Sequence, residues 1–180
     1  MHIITVCTAN ICRSPFAQLL LQDRLGADVT VTSGGVRALV GEEMDPRSRA
    51  ALAERGVDGP VLNEFRASAL DAARVSAADL VLTATTTHRD AVVRMTPRAL
   101  KRTFTLREFA ALAPAVGADS ASDLVAAVAR ARTRMTGRAD VTDPVGLDFA
   151  GYAVVMDELD AVVQQVTDRL LPLLPGSGGL

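Results

Sequence analysis

Tryptophan is absent from this chain of 180 residues, and tyrosine and lysine occur once each, as Tyr152 and Lys101. The remaining basic side chains are arginine, a compositional bias with no functional meaning by itself. Cysteine occurs twice, at Cys7 and Cys12. Two cysteines five apart, with no further cysteine and no clustered histidine, exclude a disulfide scaffold and a thiolate-imidazole metal site. No metal and no cofactor is expected. The net charge of -2 gives no support to a nucleic-acid or membrane-surface role. No apolar run reaches the length of a membrane span. The first strand begins within two residues of Met1, without a basic region and apolar core before it. No signal peptide is therefore expected, and the expected location is cytoplasmic. There is no internal repeat, and the length suits one domain with a proper core.

What is present is concentrated near the N-terminus. Ile3-Ile4-Thr5-Val6 reads as a short apolar strand. Cys7-Thr8-Ala9-Asn10-Ile11-Cys12-Arg13 reads as a tight loop, and Ser14-Pro15 opens a helix ending near Gly26. Ser14 suits an N-cap and Pro15 the first turn. A loop feeding a helix N-terminus is an anion site, because the first N–H groups lack intrahelical partners and carry partial positive charge. The backbone of Thr8, Ala9, Asn10, Ile11, Cys12, Arg13 and Ser14 is the candidate phosphate cradle. Cys7 stands beneath it in a field that favours a thiolate. Arg13 supplies a planar fork for two phosphate oxygens. Asn10 tolerates a left-handed backbone and is placed to hold the loop's shape. The Ser14 hydroxyl is placed to donate to the Cys7 sulfur. Arginine makes up about one residue in ten, so its spacing from Cys7 is weak alone; strand, loop, Ser-Pro and helix together are specific. The competing account of Cys7 is a small buried hydrophobe closing a strand.

Val6 through Pro15 resembles the Val-Cys-x-Gly-Asn-Ile-Cys-Arg-Ser-Pro signature of the low-molecular-weight protein tyrosine phosphatase family. Ala9 stands where the family has glycine. The resemblance covers the chain to about Leu173. It implies that Cys7 is the nucleophile, and that Asp143, in the pair Asp143-Pro144, is the general acid. Asp140 and Asp148 are nearby competitors; Pro144 favours Asp143 because it fixes the loop that must aim the carboxyl. Thr32-Ser33-Gly34-Gly35 resembles a segment after the family's second strand, and implies that Ser33 supports the loop through Asn10. Several positions depart from the pattern. Val145-Gly146 and Ala38-Leu39 stand where the family often has aromatic walls, and Ala84-Thr85 replaces a Met-Asp pair. Ile11 is the choice of tyrosine-specific relatives, whereas phosphoarginine-specific relatives have threonine there. Cys12 has two readings, a loop-filling residue and a redox partner that traps oxidised Cys7.

Apolar runs predict strands over 2–6, 28–32, 80–83 and 102–105. Helical spacing predicts helices over 15–25, 46–54, 87–95, 121–133 and 151–171. The expected fold is α/β: one three-layer domain, a four-stranded parallel sheet with helices on both faces, and the phosphate loop between strand 1 and helix 1. The expected domain is 1–174 with a flexible tail over 175–180. Residues 110–119 read as a loop, and His2 and His88 as bystanders, His88 on an exposed helical turn. The resulting expectation is a phosphomonoester hydrolase acting on protein phosphotyrosine through a cysteinyl-phosphate. Its partner would be a phosphotyrosine protein, such as a bacterial tyrosine kinase or its substrates. One rival is a thiol-dependent arsenate reductase, whose internal relay needs a cysteine outside the loop. The other is a non-catalytic phosphate- or phosphoprotein-binding module, which needs neither Cys7 nor Asp143.

Overall fold

The computed structural model describes residues 1–57 and 59–175. Four strands, β1 (His2–Cys7), β2 (Thr30–Gly35), β3 (Leu80–Thr83) and β4 (Thr103–Thr105), form a parallel sheet in the order β2-β1-β3-β4. The helices are α1 (Arg13–Leu25), α2 (Pro46–Ala53), α3 (Pro60–Glu64), α4 (Ala72–Ala77), α5 (Thr86–Met95), α6 (Leu106–Leu112), α7 (Ala121–Ala131) and α8 (Phe149–Leu170).

Strand alternation divides the core. Ile3, Leu80 and Leu82 face a cluster with Phe16 and Leu20 of α1, Phe109 of α6 and Leu159 and Val163 of α8. Ile4, Val6 and Val81 face a second cluster with Val75 of α4, Val92 of α5 and Ala99. The sheet is thus covered on both faces, as its continuous apolar strands require. The chain leaves β1 toward β2 on one side and reaches β3 on the other. The order therefore reverses beside β1, and the carboxyl end of β1 is where an open α/β sheet leaves a crevice.

Four sequence expectations need correction. The second strand lies at Thr30–Gly35, two to three residues later than its apolar run, because pairing with β1 continues to Cys7 opposite Gly35. Ladder geometry overrides the poor strand propensity of Gly34 and Gly35. Helix α1 starts at Arg13 with Cys12 as its cap residue, so Ser14 lies inside the first turn and is not the N-cap. The expected loop over 110–119 begins as helix: α6 runs to Leu112 and a 3-10 turn follows at Ala113–Ala115. Its signal is a capping box in which Thr105 and Glu108 serve each other's backbone N–H. His88, expected on the surface, is buried. The short helices α3 and α4 carry too little periodicity to be read from sequence. Residues 176–180 of the expected tail lie outside the described residues.

Candidate active site

The loop from Cys7 to Ser14 turns its carbonyls outward. Val36 N–H donates to Cys7 O (3.0 Å), Arg37 N–H to Thr8 O (2.9 Å), Leu39 N–H to Ala9 O (3.0 Å) and Asp45 N–H to Ile11 O (2.9 Å). The Thr5 hydroxyl takes Ser14 O at 2.8 Å. With the carbonyls engaged outside, the N–H groups of Thr8 to Cys12 are left without a protein acceptor among the described residues. Such a ring of donors meeting a helix N-terminus is built for an anion.

The tight curve needs two backbone concessions. Asn10 has φ 59°, making it the one non-glycine residue with positive φ among those described. Gly35 faces the loop so closely that a Cβ there would stand 2.6 Å from Thr8 O and 2.9 Å from Ala38. Glycine is what allows β2 to approach the loop that follows β1.

A directed chain of hydrogen bonds ends on the sulfur. The Asn10 amide donates one N–H to Ser33 Oγ and one to Ser14 Oγ, both at 2.8 Å, and its carbonyl accepts from Ser68 N–H at 2.9 Å. Ser33 passes its own proton to Gln18 Oε1 at 2.5 Å. Arg74 holds Ser33 O (2.6 Å) and Ser68 Oγ (3.0 Å) from outside. With Asn10 donating to its oxygen, Ser14 directs its hydroxyl proton to Cys7 Sγ, 2.9 Å away. Asn10 and its partners Ser14 and Ser33 are buried, so the network rigidifies the loop.

Arg13 closes the cradle. It is 5% exposed, and its Nη2 pairs with Asp143 Oδ2 at 2.9 Å while its Nη1 donates to Val141 O at 3.4 Å. The Asp143 side chain is more than half exposed, at the mouth of the site. The two competing aspartates are used elsewhere: Asp140 accepts from Thr86 N–H at 2.7 Å and Asp148 caps α8 by accepting from Gly151 N–H at 2.8 Å. Ile11 is partly buried and packs on the core.

Cys12 is buried behind the loop. Its thiol donates to Asp45 Oδ2 at 3.8 Å and lies beside Tyr152. Burial pushes its pKa up to about 11, with the Asp45 charge adding to the effect and the Tyr152 hydrogen bond opposing it. Tyr152 is buried too, its hydroxyl 2.7 Å from Ser48 Oγ and its ring under the Arg47 guanidinium at 4.0 Å.

The structure brings Cys7, Thr8–Ser14, Ser33 and Asp143 together. It also places Gln18, Ser68, Arg74, Tyr152 and His88 around them, none of which sequence reasoning singled out as part of the site. Their spacings from Cys7 carry no pattern, and only the tertiary fold assembles them. No cluster of three His, Cys, Asp or Glu side chains able to hold a metal ion occurs among the described residues.

A sulfur under a donor ring, a buried arginine and a carboxylate at the mouth, on a doubly wound sheet, form an arrangement suited to cysteine-based phosphoryl transfer. Residues 2–171 match the family described as low molecular weight phosphotyrosine protein phosphatase, and the chain belongs to that family of cysteine-based hydrolases. It is 30% identical to a protein-arginine-phosphatase of Geobacillus stearothermophilus over 169 residues, 94% of this chain and 95% of that one. It is 45% identical over 80 residues to a probable low molecular weight protein-tyrosine-phosphatase, EpsP, of Ralstonia nicotianae, covering 44% of this chain and 52% of the relative. The crystal structure of the low molecular weight protein tyrosine phosphatase from T. tengcongensis superposes with a TM-score of 0.73 at 27% identity, covering 94% of this chain and 99% of that one.

Proposed function

We propose that this chain hydrolyses phosphotyrosine in proteins through a cysteinyl-phosphate. The observation that supports this best is the Cys7 sulfur at the head of a ring of N–H groups without an acceptor among the described residues, with Arg13 and Asp143 at its open side. Phosphate enters the ring, and the Arg13 fork turns from Asp143 to two of its oxygens. Cys7 Sγ attacks phosphorus. Asp143, released from Arg13 and protonated from solvent, delivers that proton to the leaving phenolic oxygen as the P–O bond breaks. Asp143, now a carboxylate, takes a proton from the water that attacks the cysteinyl-phosphate. The S–P bond breaks toward sulfur, helped by the Ser14 hydroxyl, and inorganic phosphate leaves. The N–H ring and Arg13 stabilise the charge spread over the equatorial oxygens. No metal or cofactor takes part. The natural partner is a phosphotyrosine protein of the cytoplasm, such as a bacterial tyrosine kinase or its substrates. Cys12, a buried thiol behind the loop, is available as a redox partner for Cys7.

Ile11 favours an aryl ring, since its apolar branched side chain gives a guanidinium no polar partner. A second reading, a phosphoarginine substrate, is favoured by the near full-length similarity to a protein-arginine-phosphatase. Both are tested by following hydrolysis of 4-nitrophenyl phosphate, a phosphotyrosine peptide and a phosphoarginine peptide. Cys7→Ser is expected to abolish turnover and Asp143→Asn to slow it by about 10²–10⁴. Wild type is expected to prefer phosphotyrosine, and Ile11→Thr to move the preference toward phosphoarginine. A wild type that prefers phosphoarginine establishes the second reading. A folded, phosphate-binding wild type without turnover sinks both.

A further inference from the structure

The segment joining β3 to α5 touches both loops of the site. Toward the nucleophile loop, His88 Nε2 lies 2.8 Å from Thr8 Oγ1, the residue after Cys7. Toward the acid loop, Thr86 N–H donates to Asp140 Oδ1 (2.7 Å), the Thr86 hydroxyl donates to Asp140 Oδ2 (3.4 Å), and Val141 N–H donates to Ala84 O (2.9 Å). Between these arms lie the turn's own bonds. Thr85 caps α5 by accepting His88 N–H at 3.3 Å, and its Oγ1 is 2.9 Å from His88 Nδ1. The segment is anchored by β3, which pairs directly with β1, the strand that ends in Cys7.

The proton arrangement follows from these contacts. Thr85 Oγ1 accepts from a backbone N–H, and its single proton has Nδ1 as the acceptor in reach. With the Thr85 hydroxyl donating to Nδ1, Nε2 carries the ring proton and donates it to Thr8 Oγ1; this is the tautomer on which the positioning role of His88 rests. The Thr8 hydroxyl is left with a proton to donate on its other side. The ring is buried and faces Arg13, Arg37, Asp140 and Asp143. Burial, then Arg13, hold the His88 pKa down at about 4 against the two aspartates, so the imidazole is neutral at neutral pH.

We propose that the first turn of α5 is a positioning platform for catalysis: His88 holds the nucleophile loop through Thr8, and Thr86, through Asp140, holds the acid loop that carries Asp143. Asp140 lies three residues before Asp143, and Val141 between them is fixed on both sides, by Ala84 O and by Arg13. One rigid turn thus registers two loops that must meet within a hydrogen-bond length at the phosphate. Ala84 and Thr85, a departure from the family's sequence, belong to this turn. The inference rests on the phosphatase reading.

The two arms carry different kinetic signatures. Loss of the Thr8 contact loosens the phosphate cradle, which every substrate uses equally. Loss of the Asp140 contact misaims the acid, which matters most for a basic leaving group. Turnover of phenyl phosphate and of 4-nitrophenyl phosphate, whose leaving group needs less protonation, separates them. His88→Ala and Thr8→Val are each expected to lower kcat/KM about tenfold on both substrates, the double variant falling no further than either alone. His88→Gln, which keeps a terminal N–H donor, should restore most of the loss. Asp140→Ala should lose about tenfold on phenyl phosphate and much less on 4-nitrophenyl phosphate, with Asp140→Asn restoring it. Calorimetric titration with inorganic phosphate tests the cradle arm independently of turnover: affinity falls in His88→Ala and holds in Asp140→Ala. Wild-type rates and phosphate affinity in His88→Ala and Thr8→Val would overturn the proposal. So would an Asp140→Ala loss equal on both substrates. A wild type with no turnover, set against Cys7→Ser, overturns the phosphatase reading itself, and phosphate affinity then decides the cradle arm alone.

Discussion

His88 is the residue whose environment has the clearest consequence outside the reaction. Its pKa is about 4 in the folded chain and 6.5 when free, the difference coming first from burial and then from the Arg13 guanidinium. Between those values the unfolded chain binds a proton that the folded chain does not. Stability then rises with pH across that window. The contribution is complete above pH 6.5, is lost as pH falls toward 4, and has no further slope below 4. Thermal unfolding of wild type and His88→Gln between pH 4 and 7.5 isolates it, since the carboxylates are common to both. Wild type is expected to lose midpoint faster than the variant on acidification through this window. Parallel curves would mean that the imidazole is not held neutral by the fold. Cys12 contrasts with it: its pKa of about 11 leaves the thiol protonated over the same range, so it adds no slope there.

At the scale of elements, the buried Glu108 is the staple that ties α5 and the turn after α7 to the start of α6. It lies in the first turn of α6, where its side chain accepts from Thr105 N–H (3.2 Å), Arg89 of α5 (3.2 Å) and Arg132 beyond α7 (2.9 Å). Arg132 also donates to Thr103 O at 2.6 Å and lies 4.5 Å above the Phe104 ring. Glu108→Ala removes a capping box, leaves Arg132 without its carboxylate partner and leaves Arg89 only the longer contact with Asp90. Because both arginines keep some contact with water, the expected cost is about 2–4 kcal/mol in denaturant unfolding. Activity at low temperature should fall much less than in His88→Ala, since the Thr8–His88 and Thr86–Asp140 contacts do not involve Glu108. A cost under about 0.5 kcal/mol would place the pair among ordinary surface bridges. The same element shows what was legible in the sequence. Thr105 and Glu108, three apart, carry a capping-box signal for α6 that the expectation of a loop over 110–119 passes over. The partners Arg89 and Arg132 are 19 and 24 residues from Glu108 and were invisible. The site divides in the same way. The loop from Cys7 to Ser14 is contiguous, so its turn at Asn10, its arginine and the helix after it could be read in order, while the sequence puts the cap two residues late, at Ser14 instead of Cys12. His88 lies 80 residues from its partner Thr8 and is a lone histidine on a short amphipathic helix. Nothing local distinguishes it from a surface residue; only the β1–β3 pairing brings the two together.

The whole molecule joins site to stability because every part of the anion cradle exists only in the folded chain. The N–H ring depends on carbonyls of Cys7, Thr8, Ala9 and Ile11 being held by residues 36 to 45, and Arg13 depends on α1 docking against α8. An anion that fits the ring therefore binds the native state and not the unfolded one. At one hundred times its dissociation constant it stabilises by about 2.7 kcal/mol. For a chain of this length that corresponds to a rise of about 5–10 °C in the unfolding midpoint. Inorganic phosphate should produce this rise in wild type and in Cys7→Ser, whose backbone donors are intact. Arg13→Ala should lose most of it, because the fork that takes two oxygens is gone while the ring remains. Chloride at matched ionic strength controls for screening, since a single spherical ion cannot span the ring and the fork together. A midpoint indifferent to phosphate in both wild type and Cys7→Ser would refute the loop as an anion site. Equal responses in wild type and Arg13→Ala would instead assign the binding to the backbone ring alone, and restrict Arg13 to stabilising the charge that develops during transfer.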